Sequence, residues 1–326
     1  MKRREFLPLF AAVTAWPFAA GAQSTAMPVI GFLHSGSPEQ NVKRLAAFHK
    51  GLRDAGFVEG RNLTIEYRWA YGDKTKLPAM ASDLIRRKVA LITTPGSTPA
   101  SLAAKAATTT IPIVFGVGSD PVKNGLVASI GRPGGNATGI TSLNAELVSK
   151  RLGWFRNIVT NASRHFMFIN PTSNLTGPFL TELRRAATSL GVDIEVLRAS
   201  TDREIDVAFA SIPEHPGSVI IFSPDSFFYT RRTRIAEEAL RRKLPTTFDV
   251  RDYVDAGGLM SYGTDFLNVM EITAVYVGRV LKGEKPTNLP VQQPTKFELV
   301  VNLRTAKALG LEVPQSVLIA ADALIE

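Results

Sequence analysis

This sequence predicts an α/β protein of two lobes, each a parallel sheet covered by helices on both faces. Three observations carry that expectation. Short apolar runs bounded by Gly, Ser or Pro alternate with segments of helical periodicity. The alternation runs through once and then restarts after a Gly- and Pro-rich loop at 131–136. The 326 residues, 45% hydrophobic and 21% charged, suffice for two domains of about 150 residues each.

The first series opens with an apolar strand at 28–34, closed by Ser35-Gly36-Ser37. A helix is expected over 39–55, with Val42, Leu45, Ala46, His49 and Leu52 on one face. Ser37 suits its N-cap, Pro38 its first position and Gln40 a capping box, and Gly56 ends it. Strands at 62–69, 89–93 and 113–115 alternate with helices at 77–87 and 99–107, the latter capped by Thr98 ahead of Pro99. In the second series, helices at 145–158, 179–190, 203–209 and 230–242 alternate with strands at 164–169, 193–197 and 218–222. The division between lobes falls near 139–144. A long helix at 266–282 and a Pro-rich strap at 285–294 complete the pattern. The resulting boundaries are 23–140 for the first part of lobe one, 141–258 for the main part of lobe two and 259–288 for a return to lobe one. Residues 289–326 form a final crossover and carboxyl-terminal segment assigned to neither lobe.

Composition removes whole classes of chemistry. With no cysteine, disulfides, thiol catalysis and Cys-based metal centres drop out. His34, His49, His165 and His215 sit in separate elements without ligand spacing, so no metal or other cofactor is expected. Neither a Gly-x-Ser-x-Gly elbow nor a phosphate loop occurs, and in Gly116-Val117-Gly118-Ser119 the dinucleotide pattern ends at Pro121. The net charge of +9 is spread along helices. Even the densest cluster, Arg231, Arg232, Arg234, Arg241 and Arg242, is interleaved with Glu237 and Glu238 and lacks the aromatics of a nucleic-acid groove.

The amino terminus has the three parts of a secretory signal. Lys2, Arg3 and Arg4 precede an apolar run over 6–20, and Ala20-Gly21-Ala22 supplies the small-residue cleavage pattern, making residues 1–22 the signal and Gln23 the first mature residue. The run of about 15 residues is shorter than the roughly 20 that span a bilayer. Arg3-Arg4 also fits a twin-arginine signal, so the Sec and twin-arginine routes both stay open. A periplasmic location for a soluble mature chain follows.

The carboxyl ends of the predicted strands hold the candidate binding groups, because ligands of open α/β sheets collect there. The first lobe offers Ser35 and Ser37, then Thr94, Gly96, Ser97 and Thr98, then Asp120. The second offers Asn170, Thr172 and Asn174, then Asp225 and Phe228, with Tyr262 further along. Ser97 and Thr98 begin a helix whose free N–H groups attract a carboxylate. Asp120 or Asp225 suits an ammonium group, and Phe228 or Tyr262 an apolar wall. Plainer roles are open too: Asp120 can cap the turn before Pro121, Phe227 and Phe228 can fill a core, and Ser97 and Thr98 can simply cap a helix.

Residues 28–326 resemble the solute-binding proteins of ABC transporters, in the family that includes tryptophan- and tyrosine-binding members. The matching stretches are 110–115 with Asp120-Pro121-Val122, 125–127 leading to 132–139, 256–259 with Tyr262-Gly263-Thr264-Asp265, 289–291 with 297–302, and 306–314. The resemblance implies the type I periplasmic binding protein fold, two Rossmann-like lobes joined by crossover hinge strands near Gly139, 257–262 and 290–294. It also implies a monomeric, non-enzymatic receptor that binds a small molecule such as an amino acid or aromatic acid, not nucleic acid, and partners an ABC permease with its ATPase. One departure stands out: family members often carry Asp-Asn-Thr where this chain has Asp225-Ser226-Phe227. Two other classes compete. A repressor-like effector domain needs a helix-turn-helix that this amino terminus lacks, and an exported enzyme would use Asp120 or Asp225 as its base.

Overall fold

The computed structural model describes residues 27–142, 147–173, 175–213, 215 and 217–326. The predicted signal and Asn174 lie outside the described residues. In the first lobe the chain alternates β1 (Val29–His34), α1 (Val42–Asp54), β2 (Thr64–Trp69), α2 (Leu77–Arg86), β3 (Leu91–Thr94), α3 (Thr98–Ala107), β4 (Ile113–Val117) and β5 (Ala137–Thr141). The second lobe holds α4 (Val148–Ile158), β6 (Arg164–Ile169), α5 (Thr176–Leu190), β7 (Ile194–Arg198), α6 (Asp202–Ser211) and β8 (Ser218–Phe222). It continues through α7 (Ser226–Tyr229), α8 (Arg232–Arg241), β9 (Thr246–Phe248), α9 (Asp252–Asp255) and β10 (Met260–Thr264). After α10 (Phe266–Leu281) come β11 (Phe297–Asn302), α11 (Leu303–Ala308), α12 (Gln315–Ala320) and β12 (Ala323–Ile325).

Two sheets result. The first has the order β2-β1-β3-β4-β5 and is parallel throughout. The second, β12-β11-β10-β9-β8-β6-β7, is parallel except where β10 meets β11. Each sheet is apolar on both faces, as parallel strands buried under helices must be. In lobe one, Phe32, Phe48 and Val277 pack on one side, and Leu33, Leu84 and Phe115 on the other. In lobe two, Met167, Phe179 and Val301 oppose Phe168, Phe222 and Phe248.

The structure moves two boundaries. Met260–Thr264 is an inner strand of the second sheet, so the return to lobe one begins at Asp265 and not at 259. The strap stays on lobe one as far as Gln292, which accepts the Thr141 N–H at 3.0 Å. The strands β11 and β12 then join the second sheet. The chain therefore leaves lobe one after Ser142, returns at Asp265 and crosses again at 293–296, whereas Gly139 and residues 257–262 lie inside the lobes. Gly139 is needed for a different reason: its φ is +154°, and a Cβ there would fall 1.9 Å from the Phe115 carbonyl oxygen.

Local expectations shift as well. The buried stripe of α1 is Arg44, Ala47, Phe48, Gly51 and Leu52, while Val42 is exposed. The helical period was right and the face was not. No capping box forms: Gln40 sits in a short 3₁₀ turn and its Nε2 donates instead to the Thr230 carbonyl of the other lobe, at 3.0 Å. Ser97, not Thr98, caps α3, its Oγ accepting from the Ala100 N–H. The helix expected over 230–242 is α8, and a short additional helix, α7, precedes it and is capped by Asp225.

Candidate functional site

The carboxyl ends of the two sheets face each other across a cleft of about 270 Å³. Of the candidate residues, Ser35, Gly96 and Thr98 line it from the first lobe and Thr172 and Asp225 from the second. Ser37 lines an adjoining, wider polar recess that shares Ser35, Lys74, Ser226 and Thr230 with the cleft.

The first-lobe wall is mostly hydroxyl and backbone groups bonded to one another, and its charged members are the cations Arg44 and Lys74. Ser97 is fully buried, donates to Ser35 Oγ at 2.9 Å and accepts from the Ser35 N–H at 3.3 Å, so it ties the β1 loop to the β3 loop. Thr94 is likewise buried and bonded to Ser101 Oγ at 2.8 Å, below the cleft surface. At the start of α3 the Thr98 N–H has no intrahelical acceptor, and Pro99 has no N–H at all. His34 lines the cleft beside them. Burial, with Arg44 nearby, pushes its pKa down to about 3, so it is neutral. Its Nδ1 accepts the Gly36 N–H at 2.8 Å, which leaves the ring proton on Nε2.

The second-lobe wall carries charge. Asn170 is buried and donates to Asp225 Oδ1 at 2.9 Å, while its own oxygen accepts from Thr172. The same Asp225 oxygen accepts the Phe227 N–H at 2.8 Å. Asp249 and Tyr253, from the segment after β9, complete this wall.

Three candidates are elsewhere. Phe228 is fully buried edge-on to Phe222, with ring centres 5.5 Å apart, and fills the second-lobe core. Tyr262 packs against the other face of that sheet, off the cleft. Asp120 caps its own turn, accepting from the Val122 and Lys123 N–H groups. Phe228 and Asp120 are satisfied by their own neighbours without a ligand.

A family model described as ABC transporter substrate binding protein matches residues 32–325. The chain belongs to this family. A tyrosine-binding protein from Clostridioides difficile (strain R20291) is 26% identical over 272 residues, 83% of this chain and 77% of that protein. Among solved structures, an ABC domain from Streptococcus pneumoniae in complex with L-Trp superposes with a TM-score of 0.83 at 22% identity, covering 91% of this chain and 99% of that one. A ligand-free, open substrate-binding protein with adhesive properties from Clostridium difficile gives 0.67 at 24% identity over the same shares. The fold is that of the type I periplasmic binding proteins.

In this substrate-binding protein the lobes touch through residues that sequence reasoning missed. Arg44 of α1 reaches into the second lobe, its Nη2 3.1 Å from Asp252 Oδ2. Its guanidinium carbon lies 3.9 Å from the centre of the Tyr229 ring and 4.1 Å from that of Phe266. The Tyr229 hydroxyl donates to Asp252 Oδ1 at 2.9 Å and lies 3.2 Å from the Gln40 carbonyl. Burial opposes both charges of the pair, but Arg44 holds the Asp252 carboxyl below its ordinary range and Asp252 keeps Arg44 protonated. Lys43 and Asp255 add an exposed contact at 2.9 Å. A signal for Arg44 did exist: an arginine at the head of an apolar i, i+3, i+4, i+7 stripe is a buried cation in want of a partner. Among the described residues, no group of three or more His, Asp or Glu could hold a metal ion, and no helix is long and apolar enough to cross a membrane.

Proposed function

We propose that the protein is the extracytoplasmic receptor of an ABC importer, capturing a small carboxylate-bearing solute between its lobes and handing it to a membrane permease coupled to an ATPase. The observation that carries this reading is the cleft itself, small and partly aromatic, built from strand ends of both lobes and bridged by Arg44. Its solute is an amino acid or a related aromatic acid. The free amide at the start of α3, with the Thr98 and Ser35 hydroxyls, suits the carboxylate, each charge-assisted bond contributing about 1.5–3 kcal/mol. Ser97 acts indirectly by holding the two loops together. Tyr229, Tyr253 and Phe266 provide flat apolar surface for the rest of the solute. The tyrosine- and tryptophan-binding relatives support this class of solute. No covalent step is involved, only tighter binding by the closed form.

Residues 1–22 act as the export signal, and the mature protein works as a periplasmic monomer. A thermal-shift screen of the mature chain against the amino acids and small aromatic acids tests the reading. A true solute at 100 times its dissociation constant stabilises by about 2.7 kcal/mol. A chain unmoved by every compound in that set is not such a receptor.

A further inference from the structure

We propose that Lys74, at the junction of the cleft with the wider recess beside it, receives a second anionic group of the solute, a carboxylate or a phosphate at the end remote from the first. The solute is then a two-ended acid that spans both chambers, and one-ended acids are its weaker analogues. This rests on the reading of the cleft as the solute site and narrows it.

The two chambers are continuous. The cleft, about 270 Å³, and the recess, about 830 Å³, have Ser35, Lys74, Ser226 and Thr230 in common. Ligand sites commonly run to about 300–1,000 Å³. The cleft alone is small by that measure, and the open space next to it is the recess.

Each lobe gives the recess an aromatic ring, Tyr71 from the first and Phe227 from the second. Tyr71 is 66% exposed and its φ is +51°, a left-handed backbone that is uncommon for so large a side chain. The loop lining the cleft holds it there: the Tyr71 N–H donates to the Gly36 carbonyl at 3.0 Å and the Gly72 N–H to that of Ser35 at 2.7 Å. An outlier fixed in this way keeps an apolar ring at the recess, tied to the cleft loop.

Charge decides which group of the solute goes there. Among the described residues, every other charged cation lining the two chambers already has a partner. Arg44 is paired with Asp252. Arg231 lies 3.9 Å from the centre of the Phe227 ring and pairs with Asp202. Arg234 pairs with Asp202 at 3.1 Å and with Asp206. Lys74 is half-buried, and among the described residues it takes part in no ion pair and no side-chain hydrogen bond. A partly desolvated ammonium is a strong donor to an anion and breaks no existing pair to receive one.

The rival role for Lys74 is that of a loop cation that attracts any acid at a distance without touching it. Lys76 would share that role, being two residues on and exposed, but it lines neither chamber and lies 3.6 Å from Asp73. Calorimetry on the mature chain separates the two roles with matched probes. These are L-phenylalanine against 4-carboxy-L-phenylalanine, L-tyrosine against O-phospho-L-tyrosine, and phenylacetate against 4-carboxyphenylacetate.

The parent should bind the two-ended member of at least one pair about tenfold more tightly or better, the scale of one charge-assisted bond. Whether that pair carries the phosphate or a second carboxylate tells which anion the site takes. Lys74→Met should lose the preference while holding the one-ended member within about threefold. Lys74→Arg should recover most of it, and Lys76→Met should keep it. A preference that survives Lys74→Met, or that falls equally in Lys76→Met, overturns the proposal. Should Lys74→Met not fold, Lys74→Gln carries the same test. A parent that binds the one-ended acids as tightly as their partners overturns the Lys74 assignment and leaves the receptor reading standing. A parent that binds none of the six removes both.

Discussion

The two walls of the cleft are built on opposite plans. In the first lobe, serines and threonines bond to one another and to the ends of their own loops, and no carboxylate lines the cleft. In the second, Asp225, Asp249 and Asp252 stand among tyrosine and phenylalanine rings. The hydroxyls of the first wall are satisfied in advance, so they are rigid and cost little to keep dry, and the charge on that wall is the positive charge of Arg44 and Lys74. A wall of carboxylates needs cations, and here one of them is supplied from across the cleft by Arg44. The lesson is that contact between the lobes and neutralisation of Asp252 go together here, because the Arg44–Asp252 pair spans the two lobes.

Phe228→Ala should produce the largest effect. Its ring sits in the second-lobe core among Phe168, Phe222 and Phe227, so truncation should destabilise that lobe by about 3–5 kcal/mol in a denaturant titration. Solute affinity measured well below the melting range should hardly change. A large affinity loss with unchanged stability would return Phe228 to the cleft.

Arg44→Ala comes next and bears most directly on the contrast between the walls. Removing one partner of a buried pair costs about 3–5 kcal/mol where both ions are fully enclosed, and the partial exposure of Asp252 reduces this to about 2 kcal/mol. The substitution should weaken solute binding and enlarge the radius of gyration in solution scattering, since the open form loses nothing. Lys43→Ala, which removes the exposed pair to Asp255 beside it, should do neither within error. Equal effects from the two would mean that closure does not depend on the buried pair.

Why the sequence disclosed the first wall better than the second follows from where the partners lie. The strands β6 and β8 span the residues that their apolar runs mark out, and the loops at 35–37, 94–98, 170–173 and 223–226 end up at the sheet edges as parallel topology requires. The strand β10, Met-Ser-Tyr-Gly-Thr, shows no apolar run, because Gly263 is needed for close backbone approach to Asp249 and Ser261 is buried. The strand β9 beside it and β12 at the sheet edge have three residues each, too few for a period to show. Arg44 meets Asp252 across 208 residues, and no local pattern encodes that. The stripe on α1 was legible in period, yet choosing its face required knowing that α10 would return to pack on it.

Ser97→Ala probes the first wall. It deletes the N-cap of α3 and both links to Ser35, which should cost about 1–2 kcal/mol of stability. Solute affinity should fall with it, because the β1 and β3 loops lose their tie. Addition of solute should recover part of the lost melting temperature. A variant as stable as the parent would show that the hydroxyl network is not what holds this wall.

The smallest expected effect concerns charge on the second-lobe side of the hinge. Glu298, on β11 next to the last crossing, has its pKa raised to about 7, first by burial and then by the negative charge of Asp265, with Arg251 opposing. A carboxyl whose folded pKa lies above its unfolded value binds its proton more readily when folded. Its ionisation therefore destabilises the fold, fully above pH 7, progressively less as the pH falls towards 4.5, and not at all below. Half the group's surroundings are solvent, so the expected penalty is about 1 kcal/mol and not the larger value that the full shift would imply. Glu298→Gln removes the charge and keeps the shape. It should melt higher than the parent at pH 8, by a few degrees at most, and match it at pH 4. A variant that melts lower at pH 8 would mean that the Glu298 carboxylate is stabilised by Arg251 more than it is penalised by burial and Asp265. The second lobe's excess of acid would then be balanced at the hinge as well as across the cleft.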